Sequence, residues 1–135
     1  KATSLFADLF GDANAEYRAS LDRYYEQGPP ADWGQRYISA YASSHPLEDW
    51  AETWSHYLLM HDALETAHAH HLIDTPPSSS ALVERISQWQ AVSVGLNEMN
   101  QSVGREDAYP FVISAQVHNK LAYVDAMISR LRTLQ

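Results

Sequence analysis

The sequence predicts an all-α fold, a single compact multi-helix domain with about five helices and a long central one. Three observations carry this expectation. Apolar residues recur at helical spacing in five places, runs alternating apolar and polar residues are almost absent, and glycine- or proline-bearing breaks stand between most of the periodic segments. The chain has 135 residues, 45% of them hydrophobic and 11% aromatic. That length suffices to bury about two-thirds of the unfolded surface in one core.

The first helix is expected from Thr3 to Phe10, with Gly11 as its terminator. A second should run from about Asn14 to Glu26, with Tyr17, Leu21, Tyr24 and Tyr25 on one side as a core stripe, and Gly28-Pro29-Pro30 closing it. Asp32 reads as the N-cap of a shorter helix that carries Trp33, Tyr37 and Ile38 toward Ala40, before the loop YASSHP. Pro46 suits the first turn of the central helix, which extends to about His71, because the N–H that proline lacks has no partner there. The stretch DTPPSSS, with a serine cap, breaks the chain before a helix from about Ser80 to Ser102, whose apolar side is Leu82, Ile86, Trp89, Val92, Leu96 and Met99. Beyond Gly104 and the loop REDAYPF, the last helix covers Ser114 to Leu134 with Val117, Leu121, Val124, Ile128 and Leu131 on one side. NEMN, Asn97 to Asn100, reads as helix-end polar groups, and Tyr109 and Phe111 as anchors of a turn.

The formal net charge of −8, with two lysines and seven arginines scattered along the chain, repels a phosphate backbone and speaks against nucleic acid. The absence of cysteine removes disulfides, thiolate catalysis and cysteine-based zinc sites. No run is long and apolar enough for a bilayer, so no membrane partner is expected and a cytoplasmic location is the plain expectation. The chain enters a helical pattern directly from Lys1, which suggests a fragment or a processed chain.

The chemistry concentrates in HPLEDWAETWSHYLLMHD, His45 to Asp62. Glu48 and Glu52 stand one turn apart on one face of a helix whose other faces hold Trp50, Ala51, Trp54, Tyr57, Leu58, Met60 and Leu64, so the helix should be buried nearly all round. A buried carboxylate needs a hydrogen-bond donor or a cation. Two readings fit. Glu48 and Asp49 lie where the helix dipole favours acids, and Glu48 follows His45 at the spacing of a capping box. Alternatively, one carboxylate is a metal ligand and the other orients the site. Trp50 and Trp54 read as core anchors in either case.

The string YASSHPLEDWAETWSHYL resembles the third-ligand helix of gluzincin-type zinc metallopeptidases, where an E-x-x-A-D/E element supplies a zinc ligand. Tyr41, seven residues ahead of Glu48, matches the spacing of lethal-factor type toxin metallopeptidases. With the flanks LFGDANAEYRASLDRYYEQGPPADW and LNEMNQSVGREDAYPFVIS, the chain is similar over most of its length to a bacterial family of zinc-binding metallopeptidases. The resemblance implies Glu48 as zinc ligand, Glu52 as a carboxylate behind it, Tyr41 as the hydroxyl that stabilises the oxyanion, and a peptide or protein as substrate. Such enzymes bind zinc through an H-E-x-x-H helix, and no H-E-x-x-H occurs between Lys1 and Gln135. Residues 1–135 are therefore expected to be the helical part C-terminal to that motif, supplying the third zinc ligand but inactive alone. The surface that the absent helix would cover should be apolar, exposing a groove beside Glu48 or favouring a homodimer.

A second reading is a non-catalytic helical interaction module, and a third is a small metal-binding protein using the stripe His61, Glu65, His68 and His71. Those histidines are equally expected as solvent-exposed groups at a helix end. His56 reads as a satisfied core histidine within reach of Glu52, His45 as a loop-surface residue and His118 as a helix-surface one.

Overall fold

The computed structural model describes residues 2–134. Its regular structure among them is helical: α1 (Ala2–Phe10), α2 (Tyr17–Gln27), α3 (Trp33–Arg36), α4 (Pro46–Ala69), α5 (Leu82–Ser102) and α6 (Ala115–Thr133), with 3-10 turns at Tyr41–Ser44 and Pro77–Ser79. The all-α class is as the apolar spacing predicts. Contacts divide the chain into two compact units: one holds everything up to Tyr57 together with the residues from Val112 on, the other is Leu58–Phe111. The boundary falls within α4.

In the first unit, α1 ends where expected, because Gly11 adopts φ +98° and its N–H donates to Ala7 O at 2.9 Å. The glycine is also needed for space, since a Cβ there would stand 3.3 Å from Pro46 Cγ at the start of α4. The aromatic residues Phe6, Phe10, Trp50, Trp54 and Tyr123 then interlock edge to face, with Phe10 and Trp50 centroids 5.3 Å apart and Trp50 and Tyr123 5.7 Å apart. Val117, Leu121 and Val124 of α6 are fully buried, as are Ile38 and Ala42 of the same unit, whereas Leu131, expected on that side, is exposed.

Three sequence expectations change here. The second helix begins three residues late. Asp12 holds a turn of its own, accepting from Asn14 N–H at 2.9 Å and Ala15 N–H at 3.0 Å, and Glu16 becomes the N-cap, accepting from Ala19 N–H. The short α3 stops at Arg36 because α6 claims its last carbonyls: Lys120 donates to Arg36 O at 2.6 Å and Ser114 to Gln35 O at 2.8 Å. Asp32 makes no side-chain cap and instead pairs with Arg36 at 3.3 Å. Lastly, α4 is not buried all round, for Leu47, Ala51, Leu58 and Leu59 are exposed while Asp49, Thr53, His56, Tyr57, Met60 and Leu64 are buried.

In the second unit, the last half of α4 ends at Ala69, and His71 takes the left-handed conformation at φ 59° that closes a helix. The serines after Pro77 form a 3-10 turn, and the N-cap of α5 is Ala81 without a side-chain bond. Ile86 and Trp89 are buried; Met99 is exposed. Val92, Leu96 and Met99 line an apolar groove of about 670 Å³ with Ala67, Leu72 and Trp89. The loop after α5 is held by the side chains of NEMN. Asn97 exchanges two bonds with the Tyr109 backbone, at 2.8 and 2.9 Å, and Asn100 donates to Glu106 O at 3.0 Å. Tyr109 packs edge-on to Trp89 at 4.8 Å and to Phe111 at 5.1 Å, so the turn is anchored as the sequence suggests. No helix among the described residues is long and apolar enough to cross a membrane.

Candidate active-site cluster

The site is built where three elements of the first unit meet: the N-terminus of α2, the 3-10 turn Tyr41–Ser44 and the first turn of α4. His45 sets the junction. It is 2% exposed, not on the loop surface. Its Nδ1 accepts from Leu47 N–H at 3.1 Å, and its Nε2 lies 2.8 Å from Ala15 O, an arrangement that suits the tautomer with the proton on Nε2. The ring also packs edge to face on Tyr17, with centroids 4.9 Å apart. One histidine thus caps α4 and seats the tyrosine that begins α2.

Tyr17 in turn donates its hydroxyl hydrogen bond to Glu48 Oε1. The carboxylate is half-buried and engages a side chain from another helix. The Tyr17 phenol is pushed up to about 12, first by that bond to Glu48 and then by desolvation and the carboxylate's charge. Tyr41 joins the same cluster. Burial pushes its phenol above the ordinary tyrosine range, the charge of Glu48 and a hydrogen bond to it push the same way, and hydrogen bonding with Tyr17 pulls it back. Tyr24 completes the wall, edge-on to Tyr41 at 5.8 Å.

The structure thus brings Tyr41 and Glu48 together, and it adds Tyr17. Glu52 belongs to a separate set. It accepts from Ser39 Oγ at 2.7 Å, and Ser39 in turn accepts from Ala42 N–H at 3.2 Å, which ties α4 to the turn carrying Tyr41. His56 Nε2 lies 3.9 Å from the same Glu52 oxygen. Desolvation lowers the affinity of the imidazole for a proton, against the pull of Glu52, as befits a core histidine.

Behind Glu48, Asp49 is wholly buried and meets Lys120 Nζ at 2.6 Å. Lys120 itself is buried and lies 4.5 Å from the Tyr37 ring centroid. Desolvation raises Asp49 to about 6 in spite of the lysine beside it. Two adjacent acids thus have different duties, Asp49 inward to α6 and Glu48 outward to the tyrosines.

Sequence reading missed Tyr17 by assigning the tyrosine stripe to a core. No residue of α2 is buried; Tyr17 is 43% exposed and Tyr25 70%. The signal was present, because YRASLDRYYEQ offers Leu21 as its sole large aliphatic residue, too little for a core helix.

A family model described as "Putative zinc-binding metallo-peptidase" matches residues 1–127. The chain belongs to this family. Uncharacterized proteins of Mycobacterium tuberculosis, in strains CDC 1551 / Oshkosh and ATCC 25618 / H37Rv, and of Mycobacterium bovis are each 41% identical to it over 135 aligned residues. The alignment takes in 95% of this chain and 40% of each relative, so the chain spans well under half the length of the relatives it matches. No solved structure matches it.

The donor set suits one ligand of a zinc ion and not a whole site. A carboxylate oriented by a phenol is an oxygen ligand of the kind zinc accepts. Among the described residues, however, no group of three or more histidines, aspartates or glutamates is placed to hold a metal. The stripe on α4 follows the same rule: His61 faces Glu65 at 3.3 Å, while His68 and His71 stand at the helix end.

Proposed function

We propose that this chain is the carboxylate-bearing, helical part of a gluzincin-like zinc metallopeptidase that hydrolyses peptide bonds, with Glu48 as the third zinc ligand. The observation that supports it most directly is the meeting of Glu48 with Tyr41 and Tyr17 at one junction, in a chain of a zinc-binding family. The spacing from Tyr41 to Glu48, similar to that of lethal-factor type toxin metallopeptidases, agrees with this geometry. The remaining ligands and the general base come, in this reading, from an H-E-x-x-H helix in the longer protein, and the present chain alone is inactive.

When bound, zinc supplies Lewis-acid polarisation of the scissile carbonyl and of a water. The residues present do the rest. Tyr17 holds one oxygen of Glu48 and so orients the carboxylate; Tyr41 offers a hydroxyl to the oxyanion; Ser39 and Glu52 fix the turn that carries Tyr41 against α4.

The test is zinc analysis and peptidase assay on the longer natural protein. Glu48→Gln should lose zinc and hydrolysis together, whereas Tyr41→Phe should keep zinc and lower kcat by about a hundredfold or more. Full zinc occupancy in Glu48→Gln ends this reading. The exposed Leu47 and Ala51 of α4, both in the first unit, favour a second one, a non-catalytic helical interaction module that pairs with another copy through an uncovered apolar surface. Sedimentation decides it: a concentration-dependent dimer disrupted by Leu47→Glu supports the module, and a strict monomer removes it.

A further inference from the structure

We propose that the cleft between the C-terminal half of α2 and the 3-10 turn Tyr41–Ser44 is a substrate subsite for a carboxylate, with Arg23 as its counter-charge. This rests on the peptidase reading and adds to it a substrate class.

The cleft has a volume of about 310 Å³ and is lined by Arg23, Tyr24, Gln27, Ser43 and Ser44, with Gly28-Pro29-Pro30 at its end. Two independent features point to a ligand. Ser44 is 5% exposed, yet its Oγ has no hydrogen-bond partner among the described residues. The other serine hydroxyls of the cleft are used locally, Ser43 donating to Ala40 O at 2.6 Å and Ser20 to Glu16 O at 2.7 Å. A buried hydroxyl left unpaired calls for an explanation, and a ligand oxygen in the cleft it lines would supply a partner. Arg23 makes no ion pair among the described residues, although the chain carries 17 acidic side chains against 9 basic ones. A guanidinium, an amide from Gln27 and a serine hydroxyl around one small cleft make a donor set that suits an anion of planar, two-oxygen shape.

Position agrees with chemistry. Tyr24 both lines the cleft and touches Tyr41, whereas Tyr17, at the other end of α2, holds Glu48. Seven residues of helix separate the two tyrosines by about 10 Å along the axis. An extended peptide covers that distance in about three residues. A substrate reacting beside Glu48 and Tyr41 would thus place an acidic side chain, or its C-terminal carboxylate, in the cleft.

The experiment is an amide-NMR titration of this chain with three acetylated tetrapeptides: C-amidated with one glutamate among alanines, its glutamine counterpart, and all-alanine with a free C-terminal carboxylate. One or both carboxylate peptides should bind about three- to tenfold tighter than the glutamine peptide, with shifts at Arg23, Gln27 and Ser44. Which of the two does so separates side chain from terminus. Arg23→Gln, at an exposed position, should remove the preference without unfolding the chain, and Ser44→Ala should weaken it. Equal affinities, no saturable shifts with any peptide, or a preference that survives Arg23→Gln would overturn the proposal. Glu48→Gln should leave this preference intact, so a failure of the metal reading, seen as unchanged zinc in the longer protein, stays separate from a failure of the subsite.

Discussion

Tyr17 and Tyr109 have phenols pushed up to about 12, and they arrive there by different routes. Tyr17, in the first unit, is largely exposed, and the main cause is its hydrogen bond to the Glu48 carboxylate. Tyr109, in the second, is 5% exposed, and the main cause is desolvation, opposed by the neighbouring Trp89. The same shift therefore reports an interaction in one region and a solvent in the other. The contrast extends to the regions themselves. The first unit directs charge and hydroxyls at one another, in Tyr17–Glu48, Ser39–Glu52 and Lys120–Asp49. The second holds its turn with side-chain amides, Asn97 and Asn100 bonding to backbone and Gln101 donating to Asp107, and packs apolar residues around Trp89.

Breaking the charged side of this contrast should have the largest effect. Lys120→Met leaves Asp49 buried without its cation and should cost about 3–5 kcal/mol of unfolding free energy in denaturant titrations at pH 8. Because Asp49 sits raised to about 6, protonation should relieve part of that loss at pH 5, and the double variant with Asp49→Leu should recover most of it. A variant equally unstable at both pH values would mean that packing by Lys120, not its charge, matters there.

On the neutral side, Asn97→Ala strands the N–H and C=O of Tyr109 and should cost about 1–3 kcal/mol, with hydrogen exchange accelerated first at Tyr109. The two phenols can then be separated directly. Glu48→Gln should bring Tyr17 back toward the ordinary value near 10 while Tyr109 stays near 12, followed by tyrosine-ring carbon NMR in an alkaline titration. For Tyr109 the folded value is the higher one, so its contribution to stability is complete below pH 10 and lost as pH rises toward 12. The smallest effect is expected of His56. Its folded value is lowered, so the unfolded chain binds the proton first and stability falls as pH drops below the ordinary histidine range. His56→Leu should flatten that slope between pH 7 and 5; an unchanged slope would assign it to other groups.

Helical spacing, glycine stops and Pro46 were enough to read the helical class and the extent of α1, α4, α5 and α6 within a few residues; Tyr41 was linked to Glu48 only by the resemblance to a metallopeptidase family. The helical signals are local properties, written in periods of three or four residues and in backbone chemistry at single positions. What each face of a helix meets is not local. That Tyr17 turns to Glu48 instead of a core, that Asp49 and Glu48 point apart, that His45 is buried as a cap, and that α6 truncates α3 through Lys120 all depend on residues 30 to 84 positions away. Hydrogen bonds between distant side chains leave no period in the sequence, since each needs only one residue at each end. Only the packing of the helices decides which of many tyrosines, acids and lysines become partners.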